Sequence, residues 1–141
     1  LIMKSTEIVP RNELKTRLIA EAKAQGKPFA IILRSASGGS TNTSSWGFQA
    51  FKGVARLVYK VDLESGEETL VRGVELVGTP LASLMKVRAV GDDPVLFNGY
   101  CGAESGFIPV STITPSLLLS ELEFQKSPPR REQPPVLEPP K

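Results

Sequence analysis

The sequence predicts an α+β fold: a mainly antiparallel β-sheet with two short helices packed on it, followed by a proline-rich C-terminal tail. Three observations predict it. Apolar residues recur at helical spacing in one early segment; several short β-branched runs are separated by Gly, Ser and Pro turn signals; and six of the last 15 residues are proline. A length of 141 residues, 40% of them apolar and 23% charged, is ordinary for one domain with a real core. The division expected is a domain over residues 1–126 and a tail over 127–141.

The first helix is expected over residues 12–25. Leu14, Leu18, Ile19 and Ala22 form one apolar stripe, Pro10 and Asn12 are start signals, and Gly26 followed by Pro28 is a stop. Residues 29–34 are a compact apolar run after Pro28 and read as a buried strand. Residues 35–45, rich in Ser, Gly, Thr and Asn, read as a flexible loop. Gly38 and Gly39 do not make it a phosphate cradle, because the lysine and the downstream helix of such loops are absent. Asn42-Thr43-Ser44 fits the glycosylation triplet, a pattern too common by chance to carry weight.

Residues 54–61 and 68–77 are extended runs joined by Leu63-Glu64-Ser65-Gly66-Glu67, a hairpin turn. In the first run Ala55, Leu57, Tyr59 and Val61 share one face, expected to be buried, while Arg56 and Lys60 lie on the other, expected to be wet. Thr79-Pro80 matches a helix start with proline at the first position; Leu81, Leu84, Met85 and Arg88 continue it and Gly91 closes it. Residues 95–98 and 107–113 read as strands around a turn over 99–106. Residues 116–126 read as a final strand, although Leu117-Leu118-Leu119 is compatible with a helix start. The terminal prolines deny the tail backbone donors and favour an extended polyproline-type coil.

Charge excludes one class of partner. Seventeen basic and 15 acidic side chains are scattered through the chain, and Arg130-Arg131 is the nearest thing to a basic block. A phosphate-binding surface is not indicated, so nucleic acid is not the expected partner. No apolar run reaches the roughly 18 residues that cross a bilayer. The opening residues, with Lys4 and Glu7, are too polar for a signal sequence, so a soluble chain without a membrane partner is expected. Leu1 as first residue suggests a segment of something longer. One cysteine cannot form an internal disulfide, which leaves localisation open with the cytoplasm slightly favoured.

The candidate chemistry centres on that cysteine, Cys101, in a chain without histidine. It stands in Gly99-Tyr100-Cys101-Gly102-Ala103-Glu104-Ser105-Gly106, where glycines let the backbone approach a metal or substrate. A catalytic zinc site takes three protein ligands plus water, which one thiol without an imidazole cannot build. From the residues alone Cys101 is a small buried side chain first, with metal ligand and nucleophile as alternatives, the nucleophile lacking its usual base. Ser83-Leu84-Met85-Lys86 matches S-x-x-K and Ser40-Thr41-Asn42 resembles S-x-N, but the order is reversed and no K-T-G strand follows. Asp92-Asp93 and Glu121 with Glu123 are paired acids, read as turn chemistry and a solvated strand face.

Four segments carry a resemblance. Val71-Arg72-Gly73, Val90-Gly91-Asp92-Asp93, Ile108-Pro109-Val110-Ser111, and Thr114-Pro115-Ser116-Leu117-Leu118 with Glu121-Leu122-Glu123 resemble the C-terminal part of the TldD/PmbA family of zinc metallopeptidases, also called modulators of DNA gyrase. The likeness spans residues 14–126 and is strongest after residue 71. It implies a parent protein in which an H-E-x-x-x-H helix supplies two zinc ligands and the general base. Cys101, at the matching position before the Pro-Val-Ser and Pro-Ser-Leu runs, is then the third zinc ligand. The helix with both histidines is absent here, so the chain alone is expected to be inactive. The implied partners are the remainder of the parent chain or a homologous subunit in a homo- or heterodimer, and an unfolded or small peptide as substrate. A non-catalytic assembly module is the competing expectation, and direct DNA binding rests only on the family's historical name.

Overall fold

Helix α1, Arg11–Ala24, is the longest helix and the element that ties the rest together. The computed structural model describes residues 1–42, 50–103 and 105–127. It contains two helices and nine strands among those residues, all the strand pairings being antiparallel, which is the α+β architecture the sequence predicts. The tail expected over 127–141 lies, after Ser127, outside the described residues.

After α1, strand β1 covers Ala30–Asn42 and β2 covers Ala50–Val61, forming a long hairpin with irregular register between Leu33 and Gly39. The expectation of a loop from residue 35 is therefore corrected. Ser, Thr and Gly at residues 35–42 are weak strand formers, but the partner β2 supplies their backbone hydrogen bonds, and pairing overrides propensity. Residues 43–45 of that expected loop are not described.

The turn after β2 is built by Asp62, whose Oδ1 accepts from the amides of Glu64 (3.0 Å) and Ser65 (2.8 Å) and from the Ser65 hydroxyl (2.9 Å). Gly66 takes the left-handed φ of 72° that closes it. The returning run is two strands, β3 (Glu68–Val71) and β4 (Val74–Gly78), interrupted at Gly73 with φ 71°. Both pair with β2 in one continuous register, since Val58 faces Val71 and Val54 faces Glu75.

The second helix is shorter than expected: α2 is Pro80–Leu84, with Thr79 at its N-cap. Residues predicted as its second half form β5, Val87–Val90. Strands β6 (Val95–Ala103) and β7 (Gly106–Thr114) make a tight hairpin, so most of the turn predicted over 99–106 is strand. The predicted final strand is split into β8, Leu117–Leu119, which pairs with β5, and β9, Glu123–Lys126, which pairs with β4. The result is a five-stranded sheet ordered β1-β2-β4-β9, with β3 beside β4 on β2, and two separate two-stranded sheets.

The core is small and double. Val9, Ala89 and Leu118 form one buried cluster against Leu14 and Leu18; Ala22, Ala30 and Val61 form another against Leu18, Ile19, Ile32 and Leu63. Leu18 belongs to both, so α1 bridges the large sheet and the β5–β8 sheet. Lys15 on α1 reaches Glu68 at 2.8 Å and Arg34 reaches the same carboxylate at 2.6 Å, adding a polar tie from helix to sheet. Of the face of β2 expected to be buried, Val61 is fully buried beneath α1, Ala55 and Tyr59 are half-buried and Leu57 is exposed, so that face is covered only at its α1 end. The opposite face is not uniformly wet, because Val58, in register with Leu33 and Val71, is only 2% exposed. The second helix does not bury its apolar side chains: Leu81, Leu84 and Met85 are all exposed.

Candidate functional site

Cys101 lies near the tip of the β6–β7 hairpin, opposite Ile108, and its thiol is free and exposed. The reading of a small buried residue is therefore corrected. Alternation along a strand says which side chains share a face and not whether anything covers that face. Around Cys101 the hairpin is apolar and open: Phe97, Tyr100, Phe107 and Ile108 are exposed, Tyr100 by 78% and Phe107 by 80%. The polar side chains of Asn98 and Ser111 on the same hairpin satisfy each other, the Ser111 hydroxyl donating to Asn98 Oδ1 at 2.7 Å.

The glycines that flank the thiol take part in the packing of the hairpin. A Cβ on Gly99 would stand 2.8 Å from the Phe97 ring, and one on Gly102 would run into the Phe107 ring. Both rings lie over bare glycine backbone, a recurrent way of covering a strand glycine.

No group of three or more Cys, Asp, Glu or His side chains that could hold a metal occurs among the described residues. Cys101 offers one sulfur, where a zinc site takes three or four protein ligands, so a site that used it would draw its other ligands from outside the described residues. The paired acids are occupied elsewhere. Asp92 Oδ1 accepts from the Arg11 amide at 2.8 Å, capping the start of α1. Asp93 accepts from the Ser116 hydroxyl at 2.7 Å and the Ser116 amide at 3.0 Å, and Arg11 Nε lies 3.4 Å from it. Partial burial pushes the Asp93 carboxyl up, but the Ser116 donors, its own amide and Arg11 outweigh this and hold it below its ordinary value. Glu121 accepts from Lys86 Nζ at 2.9 Å, which lowers its pKa, while Glu123 is an exposed residue of β9.

The S-x-x-K pair is likewise dispersed. The Ser83 hydroxyl donates to the Thr79 carbonyl at 3.2 Å and Lys86 turns to Glu121, so the amine does not serve the hydroxyl as a base.

Two of the four segments that carry the family resemblance meet in space, which the sequence did not show. Gly91 N donates to Ser116 O at 2.8 Å, and Asp93 of the first segment holds Ser116 of the second. Val9 N donates to Val90 O at 2.8 Å, so the same knot anchors the stretch that leads into α1. These residues join three elements and lie outside the Cys101 hairpin. The signal available in the sequence was Asp-Asp after a glycine, a cap and turn pattern, but its partners are 23 and 81 positions away.

No helix among the described residues is long and apolar enough to cross a membrane. No protein-family model matches this chain. A comparison with curated proteins gives no match either.

Proposed function

We propose that this chain is the C-terminal part of a TldD/PmbA-like zinc metallopeptidase, acting on unfolded or small peptides, to which it contributes Cys101 as one metal ligand. The observation that carries the reading is the exposed thiol near the tip of an open apolar hairpin, outside any group of three or more metal-ligating side chains among the described residues. A sulfur so placed is accessible to a centre whose remaining ligands belong to another segment. The resemblance supplies that segment as an H-E-x-x-x-H helix, and on this reading catalysis needs that segment. Zinc, once bound there, would supply a polarised water. The residues of this chain hold the sulfur and present strand backbone, which suits an extended peptide pairing along an edge. Zinc stoichiometry of the full-length parent tests the assignment: Cys101→Ser is expected to lower metal content, and an unchanged stoichiometry removes Cys101 from the ligand set.

A second reading, a non-catalytic assembly module, is favoured by one observation of its own. Leu81 and Leu84 of α2, Met85 just after it and six large apolar residues of the β6–β7 hairpin are exposed, a surface of the kind that marks protein–protein contact. Light scattering separates the two readings. Association that survives removal of zinc and persists in Cys101→Ser belongs to the module.

A further inference from the structure

The Ile113 amide donates to Leu1 O and its carbonyl accepts from Met3 N, both at 2.9 Å, so the backbone groups of Ile113 point away from β6. In an antiparallel pair, two opposed residues either exchange both their hydrogen bonds or both turn outward. Leu96, opposite Ile113, therefore turns its N–H and C=O to the far edge of β6. With a period of two, Asn98, Tyr100 and Gly102 do the same. The pairing runs from Val95 to Ala103 without a register shift, so this edge is a straight ladder.

The two edges of the hairpin differ in protection. On the β7 side, the segment at Ile2 covers Ile113, and Pro109, which turns the same way, has no N–H to offer. The β6 side has none of the devices that blunt an edge: Val95–Ala103 contains no proline, no charge and no bulge, and no third strand lies on it among the described residues. β7 is the only element that packs extensively on β6, and Leu96, Phe97, Asn98, Tyr100 and Cys101 are exposed. A hairpin of two strands is marginal in water, and a sheet of three or more is the stable form.

The residues of β6 fit their own copy. A second copy brings the same charges, and β6 has none; Asp93 and Glu104, the nearest charged residues in sequence, lie outside it. Turned antiparallel about a twofold axis at Gly99, β6 runs its whole length along its copy. Leu96 then falls opposite Gly102, Phe97 opposite Cys101 and Asn98 opposite Tyr100. The two largest apolar side chains of the strand each meet a small residue, which lets the facing rows interlock. Outward-turned residues meet outward-turned residues, as a ladder requires, and exchange about eight hydrogen bonds. Such a contact is isologous and closes at two copies.

We infer that β6 is a self-association edge: two copies of the chain pair antiparallel along Val95–Ala103 about Gly99 and join their hairpins into one continuous sheet. The inference deepens the assembly-module reading and rests on it, and it uses no metal.

Sedimentation equilibrium of the 141-residue chain in the presence of a chelator, with amide exchange followed residue by residue by NMR, tests it. Asn98→Pro removes an outward N–H that β7 does not use. Tyr100→Lys places a charge on the edge at an exposed position, and it carries the test where the proline disturbs the hairpin; circular dichroism matching the parent's shows that a variant folds. The parent is expected to dimerise, with the amides of Leu96, Asn98, Tyr100 and Gly102 slowing at least about tenfold between micromolar and millimolar chain. Each folded variant is expected to weaken the dimer by at least about tenfold. A dimer that neither variant weakens, or whose outward amides exchange equally fast at both concentrations, overturns the β6 edge and leaves the module reading standing. A chain still monomeric at millimolar concentration overturns both, and growth beyond two copies overturns the twofold pairing.

Discussion

A Cβ added to Gly91 would run into the Asp93 carboxylate and stand 3.0 Å from Leu14 and 3.3 Å from the Ser116 carbonyl. Gly91 is therefore a glycine for closeness of approach, not for an unusual φ. Its neighbour Asp93 exchanges solvent for two Ser116 donors and Arg11, and each such buried or half-buried bond is costly to orphan. Gly91→Ala is expected to destabilise by about 2 kcal/mol through overpacking, and Asp93→Ala by about 1 to 2 kcal/mol through loss of the Ser116 bonds. Chemical denaturation of each variant checks this; a midpoint within error of the parent for both would show that the knot is incidental. Cys101→Ser, at an exposed position whose thiol is in no disulfide, is expected to leave stability within about 0.5 kcal/mol. At this scale the sequence revealed residue classes correctly, turn acids above all. It missed that Asp93 serves Ser116 and that Cys101 is uncovered, because both facts depend on which distant segment arrives.

Elements were legible where a local period was long enough to stand alone. The helix predicted over 12–25 is observed as Arg11–Ala24, and the hairpin from β2 into β3 and β4 keeps one register through its predicted turn. The predictions failed where a partner decided. Residues 87–90 continued an apolar pattern that suits a helix, yet pair with β8; residues 116–126 alternate like one strand, yet divide between two sheets. The helix α1 bridges those sheets through Leu18, the residue common to both buried clusters. Leu18→Ala is expected to cost about 2 kcal/mol, at the low end for a leucine because the side chain is only half-buried. Because both clusters lose the same contact, amides of β5–β8 and of β1–β2 should gain exchange together. Loosening confined to one sheet would mean that the helix does not couple them.

For the whole molecule, five carboxylates determine the response to pH. Glu68 is lowered by its bond to Lys15, against burial, with Arg34 adding to it; Glu75 by Lys52 and Gln125; Asp62 by the Ser65 amide and hydroxyl; Asp93 and Glu121 as described above. All five lie below ordinary values of 3.8 for Asp and 4.5 for Glu. A folded-state pKa below the unfolded one means that the unfolded chain binds protons first as acid is added. The stabilisation is thus present above the unfolded values and is lost as pH falls through the folded ones. With no histidine in the chain, no side chain of ordinary pKa titrates between about pH 5 and 7. The thermal midpoint is expected to be flat from about pH 5.5 to 7 and to fall progressively below about pH 4.5. The pairs are largely solvent-exposed on their cationic side, so added salt should shrink the acid-side drop by screening them. Calorimetry from pH 3 to 7 at two salt concentrations measures both effects, and a midpoint that rises on acidification would show that repulsion among cations, not these ion pairs, governs the charge balance of the fold.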